Sequence, residues 1–186
     1  MKALVALGAD VTVEDGFGEV PLMKAALVGH LSTVKLLVWL GADPKYCCTK
    51  DRGTALHSAA EASQTSVLRY LVRECGVAVD CCTTNGYTAL ASAAGHGQDE
   101  AVRVLRELGA DLTAMTSDEA HPLELAAFEN RTSTVRLLLS LGVDALLCRP
   151  SSGFNSLHAA AQGNAESQAK ADAELREELQ AKATAA

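Results

Sequence analysis

Six cysteines and five histidines are the side chains of this 186-residue chain best suited to metal or acid–base chemistry. Cys47-Cys48 and Cys81-Cys82 are adjacent pairs 34 residues apart, and four thiolates are a structural zinc set. Their spacing opposes that use. Equivalent points of stacked helical units sit about 8–10 Å apart, whereas thiolates on one zinc lie ~2.3 Å from the metal. No Cys-x-x-Cys occurs. The four read as small, apolar turn residues, with a thiol-based metal or redox module as the alternative. Cys75 and Cys148 have no evident partner in the sequence. Among the histidines, His96 and His121 have no credible nucleophile or carboxylate companion nearby. A Gly-x-Ser-x-Gly elbow, a phosphate loop and a dinucleotide fingerprint are all missing. The expectation is a non-catalytic chain with no cofactor and no metal.

Charge narrows the partners. The formal net charge is −7, from 23 acidic and 16 basic residues. That balance repels nucleic-acid phosphates and anionic lipid, and no Lys/Arg cluster reverses it locally. No run approaches the ~18 apolar residues of a membrane span, so direct membrane insertion is not expected. The opening MKALVALGAD is too short for a secretory leader and runs straight into a motif that recurs below. Six cysteines without such a leader suit the cytoplasm or another reducing intracellular compartment. Apolar residues make up 48% of the chain but aromatics only 4%, a composition rich in alanine that suits closely approaching helices.

The elements that must position all of these residues recur at a fixed interval. Leu22, Leu56, Leu90, Leu123 and Leu157 each follow a turn-like dipeptide, in steps of 34, 34, 33 and 34 residues. Three places on from each stands an alanine pair: Ala25-Ala26, Ala59-Ala60, Ala93-Ala94, Ala126-Ala127 and Ala160-Ala161. A loop residue follows, as Gly29, Ser63, Gly97, Asn130 and Gly163, and then a second apolar set such as TVKLLVWLG or TVRLLLSLG. Each unit reads as a short helix, a tight loop, a second helix and a turn. Thr54 and Thr88 suit the N-cap, and Pro21 and Pro122 the first helical position. Val34, Leu36, Leu37 and Leu40 share one helical face, as do Val135, Leu137, Leu138 and Leu141. LGAD, found at 7–10, 40–43 and 108–111, reads as a glycine helix stop followed by the start of a turn.

With these registers in phase, VPLMKAALVGH, TALHSAA, GYTAL and VKLLVWLGAD resemble ankyrin repeats. The resemblance covers about residues 1–162: half a repeat, four full repeats and the first helix of a fifth. It implies an all-α solenoid of antiparallel helix pairs with projecting hairpin loops, and a non-catalytic role in binding other proteins. It also implies that His57 and His158 organise neighbouring loops by hydrogen bonds and that His30 is a structural loop histidine. Departures are visible. Arg52 stands where a glycine should precede the threonine, an extra residue lies near Cys75-Gly76, and Met23, Ala91 and Glu124 replace the motif's histidine. His121 takes the place of a threonine, so an irregular fourth hairpin is expected. Residues 163–186 leave the pattern but are helix-prone, and read as a polar helix that either caps the array or protrudes from it. MKALVALGAD is the end of a second helix with no first helix before it. Either the chain is a piece of a longer array or something else covers that apolar end.

Recognition is expected at the positions that do not recur. By the resemblance these are the hairpin tips and the exposed side of the first helices. The tip residues are Phe17, Glu19, Lys50, Asp51, Tyr87 and Phe154; the helix residues are Leu27, Glu61, His96, Phe128 and Glu129. All three phenylalanines of the chain fall in this set, as an interaction surface would require. Trp39, the only tryptophan, falls off the leucine stripe of its helix and is expected on the back. The expected function is a protein-binding scaffold; a permanent subunit of a larger complex is the alternative.

Overall fold

The computed structural model describes residues 10–163. Among them the chain is all-α, with single-pair bridges (Cys82 with Thr88, Cys148 with Asn155) as its only β pairing. First helices are α1 (Pro21–Val28), α3 (Ala55–Glu61), α5 (Ala89–His96), α7 (Pro122–Phe128) and α9 (Ser156–Gln162). Second helices are α2 (Leu31–Trp39), α4 (Thr65–Arg73), α6 (Asp99–Glu107) and α8 (Thr132–Ser140). In the first four units the two helices pack on each other, and along each row a helix packs on its counterpart in the adjacent unit. The first helices meet one another more closely than the second helices do. Alanine explains the difference: Ala26, Ala59, Ala60, Ala93, Ala94 and Ala126 have no exposed surface, and short side chains set short interaxial distances. Unequal spacing of the two rows is the geometry that bends a stack toward its alanine side. Val34, Leu37, Val67, Leu68, Val102, Leu105, Val135 and Leu138 close the core between the rows.

Local chemistry sets the boundaries. Thr54 accepts from the Leu56 N–H and Thr88 from the Ala91 N–H, while Pro21 and Pro122 open α1 and α7 where no donor is needed. Gly41, Gly109 and Gly142 take φ of 99°, 94° and 92° after the second helices. The next residue then returns its N–H five places back, from Ala42 to Leu37, Ala110 to Leu105 and Val143 to Leu138. That residue is buried in each case, which is why it is small. The aspartate follows with an Asx turn: the carboxylates of Asp43, Asp111 and Asp144 accept the N–H groups of Lys45, Thr113 and Leu146 at 2.8–2.9 Å. In the second unit the extra residue is absorbed here, because Val77 reaches back six places to Leu71.

The departures take definite forms. Arg52 and Glu119 adopt φ of 59° and 60° at the hairpin position that Gly18, Gly86 and Gly153 fill elsewhere. The irregular fourth hairpin is thus a left-handed glutamate with an uncapped His121, whose Nδ1 instead bonds the Thr113 carbonyl at 2.9 Å. Gly163 has φ −60°, so the left-handed turn that separates the two helices of the other units is not made there. The half repeat at residues 1–9 and the polar segment from 164 onward lie outside the described residues.

Candidate functional site

Three places before each unit's reference leucine, the hairpins carry Glu19, Gly53, Tyr87, Ala120 and Phe154. Large and small side chains alternate from Gly53 onward, and the small ones leave room. Tyr87 and Phe154 stand on either side of Ala120, and Phe128 reaches from the end of α7 into the same space, a groove of about 490 Å³. Leu125 and Ala120 form apolar parts of this C-terminal groove; Asp118, Glu124, Glu129 and Arg149 bring charge to it. A second, central groove of about 370 Å³ lies on the other side of Tyr87, lined by Ala91, Ser92 and Gly95 with Glu61, His96 and Arg131 around them. Tyr87, Leu125 and Glu129 line both, so the two grooves are one tract.

Tyr87 is held by the repeat's own histidine. His57 is buried and its Nε2 donates to the Tyr87 carbonyl at 3.0 Å, while Nδ1 accepts the Thr54 N–H at 3.3 Å. Both contacts suit the neutral ring, and burial pushes its pKa below the usual imidazole range. In the fourth unit the same phase is Glu124, only 3% exposed. Its Oε1 accepts from Arg149 of the next hairpin, through Nε at 2.7 Å and a second guanidinium nitrogen, and this bond holds Arg149 more firmly protonated. Oε2 has no hydrogen-bond partner. The Arg149 guanidinium lies 4.9 Å from the Phe154 ring centre, and the His158 ring centre lies 5.2 Å from it with the two rings tilted by 33°. At the central groove, burial raises the Glu61 pKa, an effect His96 partly offsets.

Six of the eleven expected recognition residues line this tract: Glu61, Tyr87, His96, Phe128, Glu129 and Phe154. They are not uniformly exposed. Phe128 is 46% exposed, whereas Tyr87 and Phe154 are half-buried, because each braces its own hairpin. Phe17, Glu19 and Lys50 gather instead at the first hairpin. Phe17 is 71% exposed there, with Lys24 Nζ and Lys50 Nζ at 5.9 and 5.5 Å from its ring, and Lys24 pairs with Asp15 and Glu19. Asp51 is exposed but tied down: its carboxylate accepts the Gly53 N–H at 2.7 Å and its carbonyl the Thr84 N–H at 2.7 Å, so it braces two hairpins. Leu27 is exposed at the end of α1, and its carbonyl accepts from Gln64. Trp39 is 77% exposed on the second-helix row. The cysteine pairs diverge, with Cys48 buried, Cys81 half-buried and Cys47 and Cys82 exposed.

Sequence reasoning missed Leu125, Arg131 and Arg149. It also missed a brace: Gln64, Gln98 and Arg131 donate to the Leu27, Glu61 and Gly95 carbonyls, each one unit back. Their positions recur in phase right after the loop residue, which was the available signal. Arg149 carried none, since only the replacement of histidine by Glu124 marks its partner.

A family model for ankyrin repeats, in three copies, matches residues 1–78 and 22–116. Tyrosine-protein kinase HTK16 of Hydra vulgaris is 31% identical over 121 residues, which make up 63% of this chain and 16% of that protein.

Proposed function

This chain belongs to the ankyrin-repeat family, and from that premise we propose that it is a non-catalytic protein-recognition scaffold. It works in a reducing intracellular compartment and grips a partner along the concave tract of hairpin tips and first helices. The observation that carries this reading is the continuity of the two grooves, which share Tyr87, Leu125 and Glu129. A rigid aromatic between two clefts is the arrangement of a binding anchor. The test is a titration of one partner identified by co-purification against the wild type and single variants. Tyr87→Ala and Phe128→Ala should each weaken binding about 5- to 100-fold, the equivalent of roughly 1–3 kcal/mol. Arg69→Ala and Arg136→Ala, on the second-helix side, should leave affinity unchanged. Unchanged affinity for both aromatic variants would overturn the assignment of the face.

Trp39 favours a second reading, a permanent subunit of a larger assembly. A large, mostly apolar indole 77% exposed on the second-helix row suits a second contact surface. Its fluorescence should shift to the blue on assembly under this reading and stay unchanged under the first.

A further inference from the structure

The C-terminal groove carries chemistry more specific than protein recognition in general. Its lining holds three carboxylates, Asp118, Glu124 and Glu129, against one guanidinium, Arg149. Arg149 is bound to Glu124, so those two charges largely neutralise each other. Asp118 and Glu129, both exposed, are left beside the rings of Tyr87, Phe128 and Phe154. Exposed carboxylates next to aromatic faces are the surroundings a cation selects. Glu124 adds a second observation. Two of the three guanidinium nitrogens of Arg149, Nε and Nη2, go to Oε1, and the buried Oε2 has no donor. The groove also contains its own example of the fit, because the Arg149 guanidinium lies 4.9 Å from the Phe154 ring centre while bonding a carboxylate.

We infer that this groove receives an arginine side chain from an extended segment of the protein partner, its guanidinium against Phe128 and Tyr87 and bonded to Glu129 and Asp118. Arginine suits the site better than lysine. Its planar head stacks on rings and still presents donors in the ring plane, while an ammonium is a compact, strongly hydrated charge. The net charge of −7 steers a basic segment toward the chain. This assignment rests on the concave tract being the recognition face.

The test uses blocked pentapeptides with a central arginine, lysine, citrulline or glutamate between glycines, followed by NMR of the full chain. The arginine peptide should shift the ring signals of Tyr87, Phe128 and Phe154 and saturate at millimolar concentration, with lysine weaker and the neutral isostere citrulline roughly 5-fold weaker or more. Glu129→Gln combined with Asp118→Asn should weaken the arginine peptide about 3-fold or more and abolish most of its salt dependence. Both positions are exposed, so the variant folds. Equal binding of citrulline, preferential binding of glutamate at the same rings, or no shift up to about 20 mM arginine peptide would each overturn the arginine site. Those results leave the recognition face itself to the partner titration, which fails separately if Tyr87→Ala and Phe128→Ala bind normally.

Discussion

His57 does two jobs with one neutral ring: Nδ1 completes the cap of α3 and Nε2 fixes the carbonyl of Tyr87 in the next hairpin. Removing it takes the ring's bond from the buried Thr54 N–H and leaves the Tyr87 carbonyl with the Thr83 N–H alone. His57→Ala should therefore cost about 2–4 kcal/mol in urea unfolding at neutral pH. The pH dependence follows from burial, which sets the folded pKa below the ordinary 6.5. Above that value both folded and unfolded chains hold the ring neutral, and its contribution is complete. As pH falls from 6.5 through the folded pKa, the unfolded chain takes the proton first and the contribution is lost. The stability gap between wild type and His57→Ala should accordingly narrow between about pH 7.5 and pH 5. A gap that is constant with pH would mean the ring titrates alike in the folded and unfolded chains, and one that widens as pH falls would mean the folded ring takes the proton first.

Among elements, the hairpins carry both the architecture and the risk. Gly86 has φ 75°, and a Cβ there would meet Ser117 N at 2.6 Å and Thr116 C at 2.9 Å. Gly153 has φ 68° with nothing within 4 Å. Gly86→Ala should lose about 3 kcal/mol or more, since a rigid neighbouring backbone adds to the left-handed strain, while Gly153→Ala should lose only ~1 kcal/mol. Melting curves of the two variants check the difference, and equal losses would show that the hairpins are not pressed together. This contrast also marks what could be read in advance. The helices, their caps and the glycine stops were legible in the sequence, because each answers to a local rule and recurs every 33 or 34 residues. The groove tract proposed for recognition was legible only in part. Tyr87, Phe128 and Phe154 could be placed on one side by phase, but Asp51 and Phe17 share a phase and diverge. Asp51 is drawn back by the Gly53 N–H, and Phe17 is flanked by two lysines brought in from α1 and the next hairpin. Such outcomes depend on neighbours one unit away, and no single unit contains them.

On the scale of the array, packing among the described residues that runs mainly within units and between consecutive ones makes stability a sum of local terms. The middle units have neighbours on both sides. Hydrogen exchange should therefore be slowest in α5 and α6, with amides of α1 and α9 opening at lower free energy; uniform protection from α1 to α9 would contradict nearest-neighbour coupling. A different property belongs to the same scale. The fold repeats once per unit, but the sizes at the hairpin position before the reference leucine repeat every second unit from Gly53 onward, through Tyr87, Ala120 and Phe154. The array is thus a ruler whose marks are twice as far apart as its bricks. Two units span about 20 Å at ordinary helix-packing distances, and an extended chain advances ~3.3 Å per residue. A strand laid along the tract would meet Tyr87 and Phe154 with side chains about six residues apart, so under the proposed recognition role the alternation of large and small residues here sets the spacing of a partner's anchors.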